Sequence, residues 1–114
     1  MSPWAAYHKE RQGWETIERG RSFISYSIVM PVCRIEECYV APEERGQRIS
    51  FGIADEVASV AKSSGCTHLW AQVGLNTLNA NESLRAALAY GFRVAEADKN
   101  RIIMIKEIGE VLNG

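Results

Sequence analysis

The sequence predicts a mixed α/β domain with a strand–helix–strand crossover at its centre. Three observations carry that prediction. The run Ser22–Met30 alternates apolar residues with serine, as a half-buried strand does. Ile49, Ile53, Val57, Val60 and Ala61 recur at helical intervals up to Gly65. An apolar stretch, Cys66–Val73, then follows at once. The chain of 114 residues is long enough for one small domain and too short for two. A single domain is therefore expected over residues 1–114, with a helix over 1–20 and the sheet and core helices over 21–107.

In chain order, Ser2-Pro3 predicts a helix start, with a serine cap and proline in the first turn. Trp4, Tyr7, Trp14 and Ile17 extend that helix at helical spacing, and Gly20 is the expected stop. Pro31 separates the Ser22–Met30 strand from a second one over Cys33–Val40, expected to lie antiparallel to it. Ala41–Gly46 reads as a loop leading into the amphipathic helix. After the Cys66–Val73 strand, an asparagine-rich link leads to a short helix carrying Leu84, Ala87 and Leu88 and ending at Gly91. Residues 92–96 and 101–107 form a last hairpin around Asp98-Lys99-Asn100.

Composition narrows the possible functions. Thirteen Lys+Arg against fourteen Asp+Glu give a net charge of -1, so no global positive field exists to hold a nucleic acid. No apolar run approaches the roughly 20 residues that cross a bilayer. The N-terminus lacks the pattern of a signal peptide. The three cysteines, Cys33, Cys38 and Cys66, are odd in number and lack metal-site spacing. They read as reduced thiols of a cytoplasmic protein without a metal.

The chemistry concentrates where the second strand runs into the long helix. A loop that turns directly into a helix leaves unpaired amides at the positive end of the helix dipole, which is a place for a phosphate. Arg45 and Arg48 add charge there, unless Glu43 and Glu44 merely balance them in a solvated turn.

Val40-Ala41-Pro42-Glu43-Glu44-Arg45-Gly46 resembles the start of the pyrophosphate loop of the GNAT superfamily of acyl-CoA-dependent N-acetyltransferases. Ser83–Phe92, ending in Gly91-Phe92, is similar to that family's second motif. The similar region runs from about Cys33 to Glu107. The resemblance implies a GNAT-like fold in which two parallel strands splay and the amides of Cys38, Tyr39 and Val40 pair with a pantetheine arm. It further implies that Arg45, Gly46, Gln47, Arg48, Ile49 and Ser50 hold the diphosphate of acetyl-CoA. An amide near Cys38–Tyr39 would polarise the thioester, and Asn79 and Ser83 would help hold pantetheine. Read without the family, Asn79 or Asn81 caps the short helix.

Glu36 and Glu37 are the candidate bases. Alternation along a strand points them to opposite faces, so one at most meets the site, and alignment on Val40 favours Glu36. Glu36 could instead simply pair with Arg34. Two departures stand out. Arg48 occupies a position usually held by glycine, and Ala87 occupies the place of a tyrosine that protonates the leaving thiolate in many members. Tyr90 is the nearest tyrosine, on another part of the helix surface.

The family usually has a longer N-terminal half, whereas one helix and one strand are expected here before the Cys33–Val40 strand. That leaves an open edge suited to oligomerisation and an open groove suited to a large acceptor, such as an amine on a protein. Arg48, Ala87 and the reduced front half also suit a second reading, in which the fold serves as a non-catalytic binding or structural subunit.

Overall fold

The computed structural model describes residues 2–109. Helix α1 spans Pro3–Gln12, and the Ser2 hydroxyl accepts a 3.1 Å hydrogen bond from the Ala5 amide. Strands β1 (Glu15–Arg19), β2 (Ser22–Val29) and β3 (Val32–Tyr39) follow. A single 3-10 turn, Pro42–Glu44, leads into α2 (Ile49–Ser63). Next come β4 (His68–Gly74), α3 (Ala80–Tyr90), β5 (Arg93–Ala97) and β6 (Arg101–Glu107). The six strands form one mixed sheet in the order β1-β2-β3-β4-β6-β5, in which only β3 and β4 run parallel. The expected crossover is therefore β3–α2–β4.

The first helix is shorter than expected. Gly13 takes a left-handed φ of 74° and its amide closes back on the His8 and Lys9 carbonyls, which ends α1 before Trp14. Trp14 and Ile17 do not continue it. Ile17 pairs with Ile24 across the ladder, and Thr16 Oγ1 lies 2.8 Å from Ser25 Oγ. A helix-like spacing of two apolar residues concealed a strand. One helix and two strands thus precede β3 among the described residues, one strand more than expected. The expected domain also includes Met1 and residues 110–114, which lie outside the described residues.

Ile24, Tyr26, Cys33, Leu69 and Met104 from the sheet meet Ile53, Val57 and Ala61 of α2 in one buried cluster. Full burial of Ile53 and Val57 contributes roughly 1.5–3 kcal/mol apiece. Helix α3 lies on the same face, because the Tyr90 ring meets Phe51 of α2 at 5.4 Å. Helix α1 covers the opposite face, where Trp4 packs on Phe23 at 5.6 Å. The last hairpin turns where expected, with Asp98 Oδ1 accepting the amides of Asn100 and Arg101 at 2.7 and 3.0 Å. Those two donors hold the Asp98 carboxyl below the usual range.

Candidate functional site: a split in the sheet

The β3–β4 ladder pairs only Val32 with His68, Cys33 with Leu69 and Arg34 with Trp70. Beyond Arg34 the two strands separate. The side of β3 that faces β4 therefore has no ladder partner from Ile35 to Tyr39, as a strand-like ligand requires. The gap opens toward the α2 and α3 face as a cleft of about 690 Å³, and toward α1 as a second cleft of about 790 Å³. Both share Glu36–Tyr39 as one wall and Gln72–Val73 as the other.

A β-bulge sits at the centre of the shared wall. Ser25 faces Glu37 and the next residue, Tyr26, faces Ile35, so Glu36 is one residue more than β2 can match. The bulge cancels the alternation expected of a strand. Glu36 Oε2 accepts from Ser27 Oγ at 2.5 Å, and Glu37 Oε1 lies 3.3 Å from His8 Nε2 on α1. Both carboxylates thus reach the α1 face, contrary to the expectation that they diverge. Arg34 Nε stands 3.8 Å from the same Glu36 oxygen. Glu36 is the more enclosed of the two, with 17% of its side chain exposed against 44% for Glu37.

Val40 lies just past β3, and its carbonyl accepts from Arg45 Nε at 3.1 Å. The turn that follows is braced from a distance. Ser22 Oγ accepts the Ala41 amide at 3.0 Å and donates to Glu44 Oε1 at 2.5 Å, while the Arg21 amide donates to the same carboxylate at 3.1 Å. Glu43 pairs with Arg21 at 2.8 Å. The two glutamates are therefore engaged with the β1–β2 turn, and no ion pair involving Arg45 or Arg48 is seen among the described residues.

Gly46 has a φ of 78° and Arg48 a φ of 59°, which turns the chain into α2. Among the described residues, the amides of Gly46, Gln47, Arg48, Ile49 and Ser50 donate no hydrogen bond. No acidic residue occupies the first turn of α2. Five free donors at a positive helix end, next to two guanidinium groups, suit a diphosphate. Arg48 lies over the Phe51 ring at 4.7 Å, a placement that leaves its charge beside these amides. The Gln47 side chain is held within its own turn, with Nε2 donating to the Glu43 carbonyl at 3.2 Å.

Asn79 and Ser83 line the α2–α3 cleft from its far side. Asn79 holds the N-cap position of α3 with φ 66°, yet its side chain makes no capping bond. The Tyr90 hydroxyl donates to Asp55 Oδ1 at 2.7 Å. Burial, reinforced by Asp55, pushes the Tyr90 phenol well up. Cys38 lines both clefts as an exposed residue, and loss of hydration around its thiol pushes it up to about 11. It is a neutral thiol at physiological pH and a poor nucleophile. No group of three or more metal-ligating side chains is found among the described residues, and no described helix is long and apolar enough to cross a membrane.

Sequence reading missed Ser22 and Glu44, whose bonds span more than twenty positions. It also missed the bulge at Glu36, which no local pattern marks.

No curated protein sequence matches the chain. Among solved structures, the PaiA N-acetyltransferase of Thermoplasma acidophilum, in complex with coenzyme A, matches with TM-score 0.68 and 21% identity over 75% of this chain and 52% of that one. This chain thus spans about half the length of that structure. The ribosomal-protein-S18-alanine N-acetyltransferase of Escherichia coli matches with TM-score 0.71 and 14% identity, over 99% and 81%. Ard1 of Thermoplasma volcanium matches with TM-score 0.66 and 20% identity, over 78% and 64%. At these identities the likeness is one of fold. The family whose sequence pattern matches, over residues 10–92, is the acetyltransferase (GNAT) family, whose members are acyl-CoA-dependent N-acyltransferases. With most of its length matched, together with the splayed strands, this chain belongs to the GNAT acetyltransferase family.

Proposed function

We propose that the protein transfers an acetyl group from acetyl-CoA to a primary amine on a large acceptor, such as a protein. The observation that carries this reading is the row of five unpaired amides, Gly46–Ser50, at the mouth of a split sheet. A phosphate ligand needs donors and positive charge, and both are present there. The Gly46–Ser50 amides with Arg45 and Arg48 would hold the diphosphate. The free edge of β3 at Cys38–Tyr39 would hold the pantetheine arm, and Asn79 and Ser83 would close the cleft opposite. Acetyl-CoA supplies the activated acyl thioester. The chain's own contribution is to orient it, to offer an amide near Cys38–Tyr39 to the carbonyl oxygen, and to accept the amine's proton at the carboxylates of the bulge.

The acceptor is assigned to the α1 side, where Trp4, Phe23 and Tyr39 surround the route to Glu36 and Glu37. An open cleft of about 790 Å³, with aromatic rings beside two carboxylates, fits a side chain or terminus presented by a macromolecule. One observation favours a second reading. Ala87 offers no hydroxyl and the Tyr90 hydroxyl is held by Asp55, so a binding subunit without turnover also fits.

Calorimetry with acetyl-CoA, followed by acetyl transfer to a lysine-containing peptide and to a small alkylamine, separates these readings. The proposal expects binding and preferential acetylation of the peptide. Binding without transfer selects the non-catalytic subunit, and no binding removes the cofactor assignment.

A further inference from the structure

His8 lies on α1, 5% exposed, inside a box of aromatic rings. Trp14 stacks on its imidazole at 5.1 Å, while Trp4 and Tyr7 close the edges at 4.1 and 5.7 Å. Its Nδ1 is 2.7 Å from Gln12 Oε1. An amide oxygen only accepts, so Nδ1 carries a proton, and in the neutral ring Nε2 is then a lone pair. That Nε2 is buried without a hydrogen-bond partner, 3.3 Å from Glu37 Oε1 but not aligned with it. A buried acceptor left open is costly, and a lone pair facing a carboxylate oxygen is repulsive as well. A single proton placed between them removes both penalties.

We infer that His8 is the positioning residue that makes Glu37, rather than Glu36, the base of the site, by sharing the proton that Glu37 takes from the acceptor. This rests on the acetyl-transfer reading above. The N–H bond of the acceptor ammonium breaks and its proton moves to Glu37, while the electron pair stays on nitrogen for attack. A small rotation of the half-exposed Glu37 carboxyl then lets its Oε1–H donate to His8 Nε2, and the proton passes from Glu37 to water. Glu36 is less suited, because its Oε2 already accepts the Ser27 hydroxyl and has Arg34 beside it.

The charged groups around the pair do not compete for this role. On α1, Lys9 is paired with Glu15 of β1, and Arg11 lies over the Tyr7 ring at 5.6 Å. On β3, Arg34 accompanies Glu36 and stacks on Trp70 of β4 at 4.2 Å. On β1, Glu18 pairs across the ladder with Phe23, two positions from the Ser25 that faces Glu37. On β2, the position facing Glu37 is the uncharged Ser25.

The test uses the free full-length protein labelled with 15N at histidine and 13C at glutamate carboxyls, titrated by NMR between about pH 5 and 8. The His8 nitrogens and the Glu37 carboxyl carbon are expected to move through one common step, and Glu37→Gln is expected to displace the His8 step. Independent titration, or a His8 step unmoved by Glu37→Gln, overturns the inference. Because Glu37 is half-exposed, that variant keeps the fold even if His8→Gln does not. In turnover assays, His8→Gln is expected to lower kcat about tenfold, leave KM for acetyl-CoA within about twofold, and move the acid limb of kcat to lower pH. A loss uniform across pH is a packing effect and also overturns it. If the wild type binds acetyl-CoA yet acetylates nothing, the transfer reading falls, while the NMR titration still decides whether the proton is shared.

Discussion

Helices α2 and α3 begin alike and yet offer different chemistry. Each follows a non-glycine residue in left-handed backbone, Arg48 at φ 59° and Asn79 at φ 66°, and neither residue caps its helix with a side chain. Each therefore exposes the amides of its first turn. The differences are charge and bracing. The first turn of α3 contains Glu82, which already answers the helix dipole, whereas that of α2 has no acid and is flanked by Arg45 and Arg48. The turn into α2 is tied to the β1–β2 turn through Ser22 and Glu44. The turn into α3 rests on Thr77, whose hydroxyl donates to the Gly74 carbonyl at 2.6 Å, and leaves Leu78 90% exposed. A helix start becomes an anion site when nothing of the protein's own satisfies it and something fixes it in place.

The largest effect that sharpens this contrast comes from charge. Reversing both arginines, Arg45→Glu with Arg48→Glu, is expected to weaken acetyl-CoA binding by at least about 100-fold, since each charged contact contributes roughly 1.5–3 kcal/mol. Glu82→Gln at the other helix is expected to change affinity less than about twofold, being worth only a few tenths of a kcal/mol at an exposed terminus. Calorimetry on the two proteins compares the helix starts directly, and equal losses would erase the distinction.

Bracing ranks next. Glu44→Ala removes the acceptor for the Ser22 hydroxyl and the Arg21 amide, and is expected to cost about 2 kcal/mol in urea unfolding. Thr77→Ala, which removes one exposed bond at the α3 turn, is expected to cost about 0.5–1 kcal/mol.

Backbone strain gives a smaller contrast of opposite sign. Left-handed backbone costs an ordinary residue roughly 1–2 kcal/mol and asparagine less, and glycine gives part of the relief back as unfolded-state entropy. Arg48→Gly is therefore expected to stabilise the fold by about 0.5–1 kcal/mol and Asn79→Gly by a few tenths. Arg48→Gly should weaken acetyl-CoA binding even as it raises stability, which a binding isotherm and a thermal melt on one sample would show. The smallest effect is chemical. With its thiol pushed up to about 11, Cys38 should alkylate slowly near pH 8, faster by about tenfold per pH unit up to that value. Saturating acetyl-CoA should protect it, as followed by mass spectrometry.

Much of this was legible in the chain. Pro42, Gly46 and the helical spacing from Ile49 announced the turn and α2, and Gly91 announced the end of α3, because each is a local signal with a local cause. Long-range and sub-periodic features were not. Trp14, just before β1, and Ile17 within it fall at a helix-like spacing by coincidence, and only the left-handed Gly13 separates them from α1. The extra residue at Glu36 turns both carboxylates to one face, although strand alternation predicts the reverse. The Glu44 brace depends on Ser22, which is remote in sequence. The left-handed conformation of Arg48 is visible only as an arginine in a place that suits glycine.

Amide-resolved NMR with added acetyl-CoA tests the central assignment most directly. The resonances of Gly46–Ser50, together with those of Cys38 and Tyr39, are expected to shift furthest and to saturate together. Shifts centred on the start of α3, or none at Gly46–Ser50, would contradict it.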